Sequence, residues 1–76
     1  MKHLLILPKT KVLSIYEIRD RVKKNTTNIY MTKKQYEAIN EECAKSSVEG
    51  INQLWLKITD MEFYNAKITI TGGNNV

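Results

Sequence analysis

The chain has 76 residues, 42% of them hydrophobic, and a formal net charge of +4; that is enough apolar material for one packed core, and it excludes both a second domain and intrinsic disorder. Its single cysteine, Cys43, excludes an intrachain disulfide and a multi-cysteine zinc site and suits a reducing compartment. No apolar run approaches the ~18 residues of a membrane span, and Leu4 to Leu7 is too short for a signal-peptide core before Pro8, so the expectation is a cytoplasmic protein with no membrane partner.

In chain order, His3 to Leu7 reads as a short strand stopped by Pro8, which has no N–H to give a ladder. Pro8 to Lys11 is a turn with a basic rim. From Val12 to Lys24 two patterns overlap. Ser14 and Glu17 form a capping box with Ile15, Ile18 and Val22 on one helical face, while Tyr16, Ile18, Asp20 and Val22 alternate as a strand would. Helix is the preferred reading, with Arg19, Arg21, Lys23 and Lys24 along its solvent side. Asn25 to Asn28 then reads as a polar loop leading into a short strand, Ile29 to Met31.

Thr32 to Gln35 fits a second capping box, in which the Gln side chain reaches back to the Thr amide, so a helix should start at Lys33. Tyr36, Ile39 and Cys43 make its apolar stripe, with Glu37, Asn40, Glu41 and Glu42 turned outward. Cys43 is therefore expected to be a buried thiol. Ala44 to Gly50 is expected to be a helix end and loop. Leu54, Leu56 and Ile58 then alternate with Trp55, Lys57 and Thr59, which predicts a strand with Trp55 opposite the core. Asp60-Met61 is a turn, Glu62 to Tyr64 a short strand, Asn65 a bend, and Ala66 to Thr71 a strand with Ile68 and Ile70 inward. These elements predict a single α+β domain over residues 1–71: a small, mostly antiparallel sheet with one or two helices packed on one face. Residues 72–76 are expected to form a flexible C-terminal tail.

The stretch "IYMTKKQYEAI", the acidic helix after it and "LWLKITDMEFYNAKITI" resemble small phage- and prophage-encoded proteins of low-GC Gram-positive bacteria. The resemblance covers residues 29–70 and implies an accessory role inside a bacterial host. It carries over no active site.

Chemistry finds little to work with. The one histidine, His3, and the one cysteine are forty positions apart, Glu41 and Glu42 point to different azimuths of a helix, and no glycine-rich phosphate loop precedes a helix. The expectation is a non-enzymatic protein without cofactor or metal. Charge gives a firmer lead: residues 1–34 carry nine Lys and Arg against two acids, whereas residues 35–76 carry three against six. A basic half favours an acidic partner. A protein bound through Lys9, Lys11, Arg19, Arg21, Lys23 and Lys24, with Trp55 as an interface anchor, is the preferred reading. The alternatives are a nucleic-acid-binding regulator that stacks bases on Tyr16 or Tyr30, and a structural subunit that forms homo-oligomers through a sheet edge.

Overall fold

A computed structural model describes residues 2–71; the expected tail at 72–76 lies outside the described residues. The elements are β1 (His3–Ile6), α1 (Ile15–Arg21), β2 (Thr26–Met31), α2 (Lys33–Lys45), α3 (Glu49–Thr59), β3 (Glu62–Phe63) and β4 (Ala66–Ile70). The α+β class holds, with three helices rather than one or two. The sheet corrects the expectation of mostly antiparallel pairing: in the order β1-β2-β4-β3, the pairs β1·β2 and β2·β4 are parallel, and β3·β4 alone is antiparallel.

That topology decides which face is covered. The chain steps from β1 to β2 through α1, and from β2 to β4 through α2 and α3, moving in one direction across the sheet. Parallel crossovers are almost always right-handed, so two steps in the same direction lay their helices on the same face. Leu5, Ile29 and Ile68 stand in register across the parallel strands and turn toward the helices. Ile29 and Ile68 are buried there with Ile18, Ile39, Ile58 and Phe63, and Leu5 packs against them. Ile70, expected inward, stands beside Met31 where the sheet ends and keeps 37% of its surface exposed.

Local signals account for two helix starts. Ser14 Oγ accepts from the Glu17 N–H at 3.3 Å and the Glu17 carboxylate accepts from the Ser14 N–H at 3.2 Å, completing the first capping box. At α2 half of the box is made, with Thr32 Oγ1 accepting from the Gln35 N–H at 3.1 Å. The Gln35 side chain does not return to Thr32. It is wholly buried and grips Leu13 instead, accepting from the Leu13 N–H at 2.7 Å and donating to the Leu13 carbonyl at 2.8 Å. Glu42 also leaves the expected solvated face: its carboxylate accepts from the Ile15 N–H at 3.1 Å, taking up a first-turn donor of α1.

The expected strand at 54–59 is the C-terminal half of α3; of the expected helix end and loop at 44–50, α2 does end at Lys45, but the loop is only residues 46–48 because α3 starts at Glu49. Ile51, Leu54, Trp55 and Ile58 recur at helical spacing and pack into or against the core, while Leu56 is 61% exposed. Alternation counted from Leu54 coincides with this helix at 54 and 58 only. The Tyr36 hydroxyl donates to the Ile58 carbonyl at 2.9 Å, tying α3 to α2. Between β3 and β4, Tyr64 and Asn65 have φ of 50° and 69°, both left-handed, as a two-residue type I′ hairpin turn requires.

Candidate functional site

With the helices on one face, the other face of the sheet carries no layer among the described residues. Alternation along the strands sends Leu4 and Ile6 there, with Asn28, Tyr30, Lys67 and Thr69 in register beside them. Leu4 is 50% and Ile6 69% exposed. They line an open hollow of about 410 Å³ together with Leu7, Lys9, Tyr30 and Thr71. β1 is also an edge strand. The His3 N–H donates to the Asn25 carbonyl at 2.8 Å and the Leu7 N–H to the Tyr30 carbonyl at 2.9 Å, so the odd positions of β1 bond to β2. In a parallel ladder the even ones, Leu4 and Ile6, then turn their backbone groups to the free edge.

A second hollow of about 360 Å³ is lined by Arg19, Val22, Lys23, Lys24, Tyr64 and Asn65. It lies at the opposite end of the sheet. Lys23 and Lys24 precede β2, whereas Lys9 follows β1, and the two strands run parallel; a strand length of ~15 to 20 Å separates the two positions. The Arg19 guanidinium also sits 5.4 Å from the centre of the Tyr16 ring. Tyr64, 44% exposed, meets Phe63 edge to face with ring centres 4.7 Å apart. Among the described residues the salt bridge is Lys45–Glu41, so no carboxylate there pairs with Arg19, Lys23 or Lys24.

The expected partner-binding residues are thus divided. Lys9 joins the apolar hollow, and Arg19, Lys23 and Lys24 converge on the basic one. Lys11 and Arg21 are exposed but line neither. Trp55 lies on α3, partly buried against the core, and its indole N–H donates to Asn40 Oδ1 on α2, so the ring serves to join two helices. Sequence reading missed Leu4, Ile6, Tyr64 and Asn65. The signal for the first two was present, because an unbroken apolar run from Leu4 to Leu7 puts apolar side chains on both faces of a strand.

The one thiol is placed in the core. Cys43 is wholly buried, and burial, helped by the Glu42 carboxylate next to it, pushes the thiol up to about 11, so it carries almost no thiolate near neutrality. Among the described residues no three His, Cys, Asp or Glu side chains come together as a metal site would need, and no helix is long and apolar enough to cross a membrane. The chain matches no protein-family model, no curated protein and no solved structure with which it was compared.

Proposed function

We propose that this chain is a non-enzymatic accessory module, of the phage type that residues 29–70 resemble, and that it binds another protein by accepting an extended segment along β1. One observation carries the reading: an edge strand whose outward side chains, Leu4 and Ile6, are apolar and at least half uncovered, on a sheet face that bears no helix among the described residues. Main-chain bonds to the free edge would supply affinity, and the hollow beside Ile6 and Tyr30 would take alternate side chains of the added strand.

Charge selects the occupant. The exposed Lys2 and Lys9 stand at the two ends of β1, Lys11 follows, and Lys67 projects from the same bare face. A partner segment with apolar residues at alternate positions and acids at its ends complements this frame. Antiparallel pairing of two copies of β1 would instead bring their cationic ends together, which disfavours self-association through this edge.

A displayed library of random peptides selected on the wild-type chain tests the reading. The expected winners are acid-flanked alternating sequences that lose at least about tenfold in affinity on Ile6→Glu, a change at an exposed position that leaves the circular dichroism spectrum intact. Winners that bind Ile6→Glu as well as wild type, or that favour basic flanks, would overturn it.

A further inference from the structure

The basic hollow is independent of the β1 edge, and its chemistry is different. We propose that the hollow formed by Arg19, Lys23, Lys24, Tyr64 and Asn65 binds single-stranded nucleic acid, holding backbone phosphate among the three cations and stacking a base on Tyr64.

Phosphate is the matching anion for this cluster. Arg19, Lys23 and Lys24 are exposed, face one concavity and pair with no carboxylate among the described residues. An arginine fork beside mobile lysines suits a tetrahedral anion with several acceptor oxygens. Aromatic surface argues for a nucleotide rather than an acidic peptide. Tyr64 is 44% exposed and lines the hollow, and the Arg19 guanidinium lies over the ring of Tyr16, itself 46% exposed. Cations interleaved with exposed rings are how strand-binding proteins track a backbone while stacking its bases.

The hollow, at about 360 Å³, sits near the lower end of the ~300 to 1,000 Å³ range of small-ligand sites, room for one nucleotide rather than a folded surface. Its rim is firmly built. Tyr64 and Asn65 are the two central residues of the β3–β4 turn, both at positive φ, and Phe63 under Tyr64 is wholly buried. The ring is thus presented on a fixed backbone, and Asn65 offers an amide donor and acceptor to a base edge. Single strands are preferred because a stacked base must be unpaired. In addition α1, seven residues long, extends only ~10 Å and is too short to serve as a groove-reading helix.

The test is fluorescence anisotropy with a short labelled oligothymidine, using a hairpin duplex and polyglutamate as competitors. The expected result is binding to the oligothymidine that weakens between about 50 and 200 mM salt with a log–log slope of about −0.7 for each phosphate neutralised, between about −0.7 for the one in the hollow and about −2 if each cation meets its own. The double change Arg19→Glu with Lys23→Glu should weaken it by about tenfold or more. Tyr64→Asn, which removes the ring but keeps a residue suited to positive φ, should weaken it by about fivefold to tenfold. Ile6→Glu should leave it unchanged, which separates this site from the β1 edge. No binding at about 50 mM salt, equal competition by duplex or polyglutamate, or indifference to Tyr64→Asn would each overturn the proposal.

Discussion

Gln35 holds the most consequential polar contact in the core, and replacing it should cost a large share of the fold's stability. Its amide bonds both backbone groups of Leu13, at 2.7 and 2.8 Å, and the two residues are 0% and 1% exposed. Gln35→Leu keeps the volume but strands a buried N–H and a buried carbonyl, each worth ~1 to 3 kcal/mol when left unpaired. The expected loss is about 3 kcal/mol, against a total of ~4 to 11 kcal/mol for a chain of 76 residues. Urea unfolding followed by circular dichroism should show the midpoint falling by roughly 2 to 3 M at an m-value of ~1 kcal/mol per M.

Gln35→Glu adds a test of mechanism. An ionised carboxylate can still accept from the Leu13 N–H but has no proton for the Leu13 carbonyl, whereas a protonated one restores both bonds. Burial beside that carbonyl raises its folded-state pKa above the ordinary ~4.3 of the unfolded chain. A group so raised contributes stability while protonated and loses it as pH rises through the folded value. The deficit relative to wild type should therefore be small near about pH 4 and grow toward neutrality. A Gln35→Leu variant within ~0.5 kcal/mol of wild type, or a Gln35→Glu deficit that does not change with pH, would refute the reasoning.

Ser14→Ala removes one half of the α1 capping box and should cost about 1 kcal/mol in the same unfolding assay. Gly50 lies in the first turn of α3 with nothing within 4 Å of where a Cβ would stand, so Gly50→Ala should stabilise by ~0.5 to 1 kcal/mol and raise the melting temperature. Cys43, with its thiol pushed up to about 11, should react with a disulfide reagent near pH 8 at least ~100-fold more slowly in the folded protein than in urea. Because its folded pKa is raised, its contribution is complete below the ordinary 9.0 and is lost as pH rises toward about 11. The stability difference between wild type and Cys43→Ala should shift against wild type across that window.

The features legible in the sequence are those whose causes are local. The Ser14 cap and the Thr32 helix start depend on residues three positions away, and both formed as read. Gln35 carried the same local signal, yet its side chain chose Leu13, 22 positions distant, because satisfying two buried backbone groups outweighs a solvent-exposed cap. α3 was misread where two periodicities share Leu54 and Ile58; including Ile51 resolves them, since only a helix brings 51, 54, 55 and 58 together. Parallel pairing was missed because register is a property of distant segments. A crossover needs only about a dozen residues, and both connections here exceed that. The cations of the candidate sites were visible in composition, but their division between two ends of the sheet follows from strand direction; the bend at Asn65 was legible, whereas Tyr64, read as the end of a strand, belongs to the turn and so reaches the basic hollow.

The edge position of β1 also leaves a signature in amide hydrogen exchange. The N–H groups of His3 and Leu7 are held by the Asn25 and Tyr30 carbonyls, and Leu5 falls in phase with them, whereas those of Leu4 and Ile6 turn toward the free edge. Protection along this strand should therefore alternate residue by residue. A bound strand would erase that alternation and slow Leu4 and Ile6 to the rate of their neighbours, so a single exchange map would report both occupancy of the edge and the register of whatever occupies it.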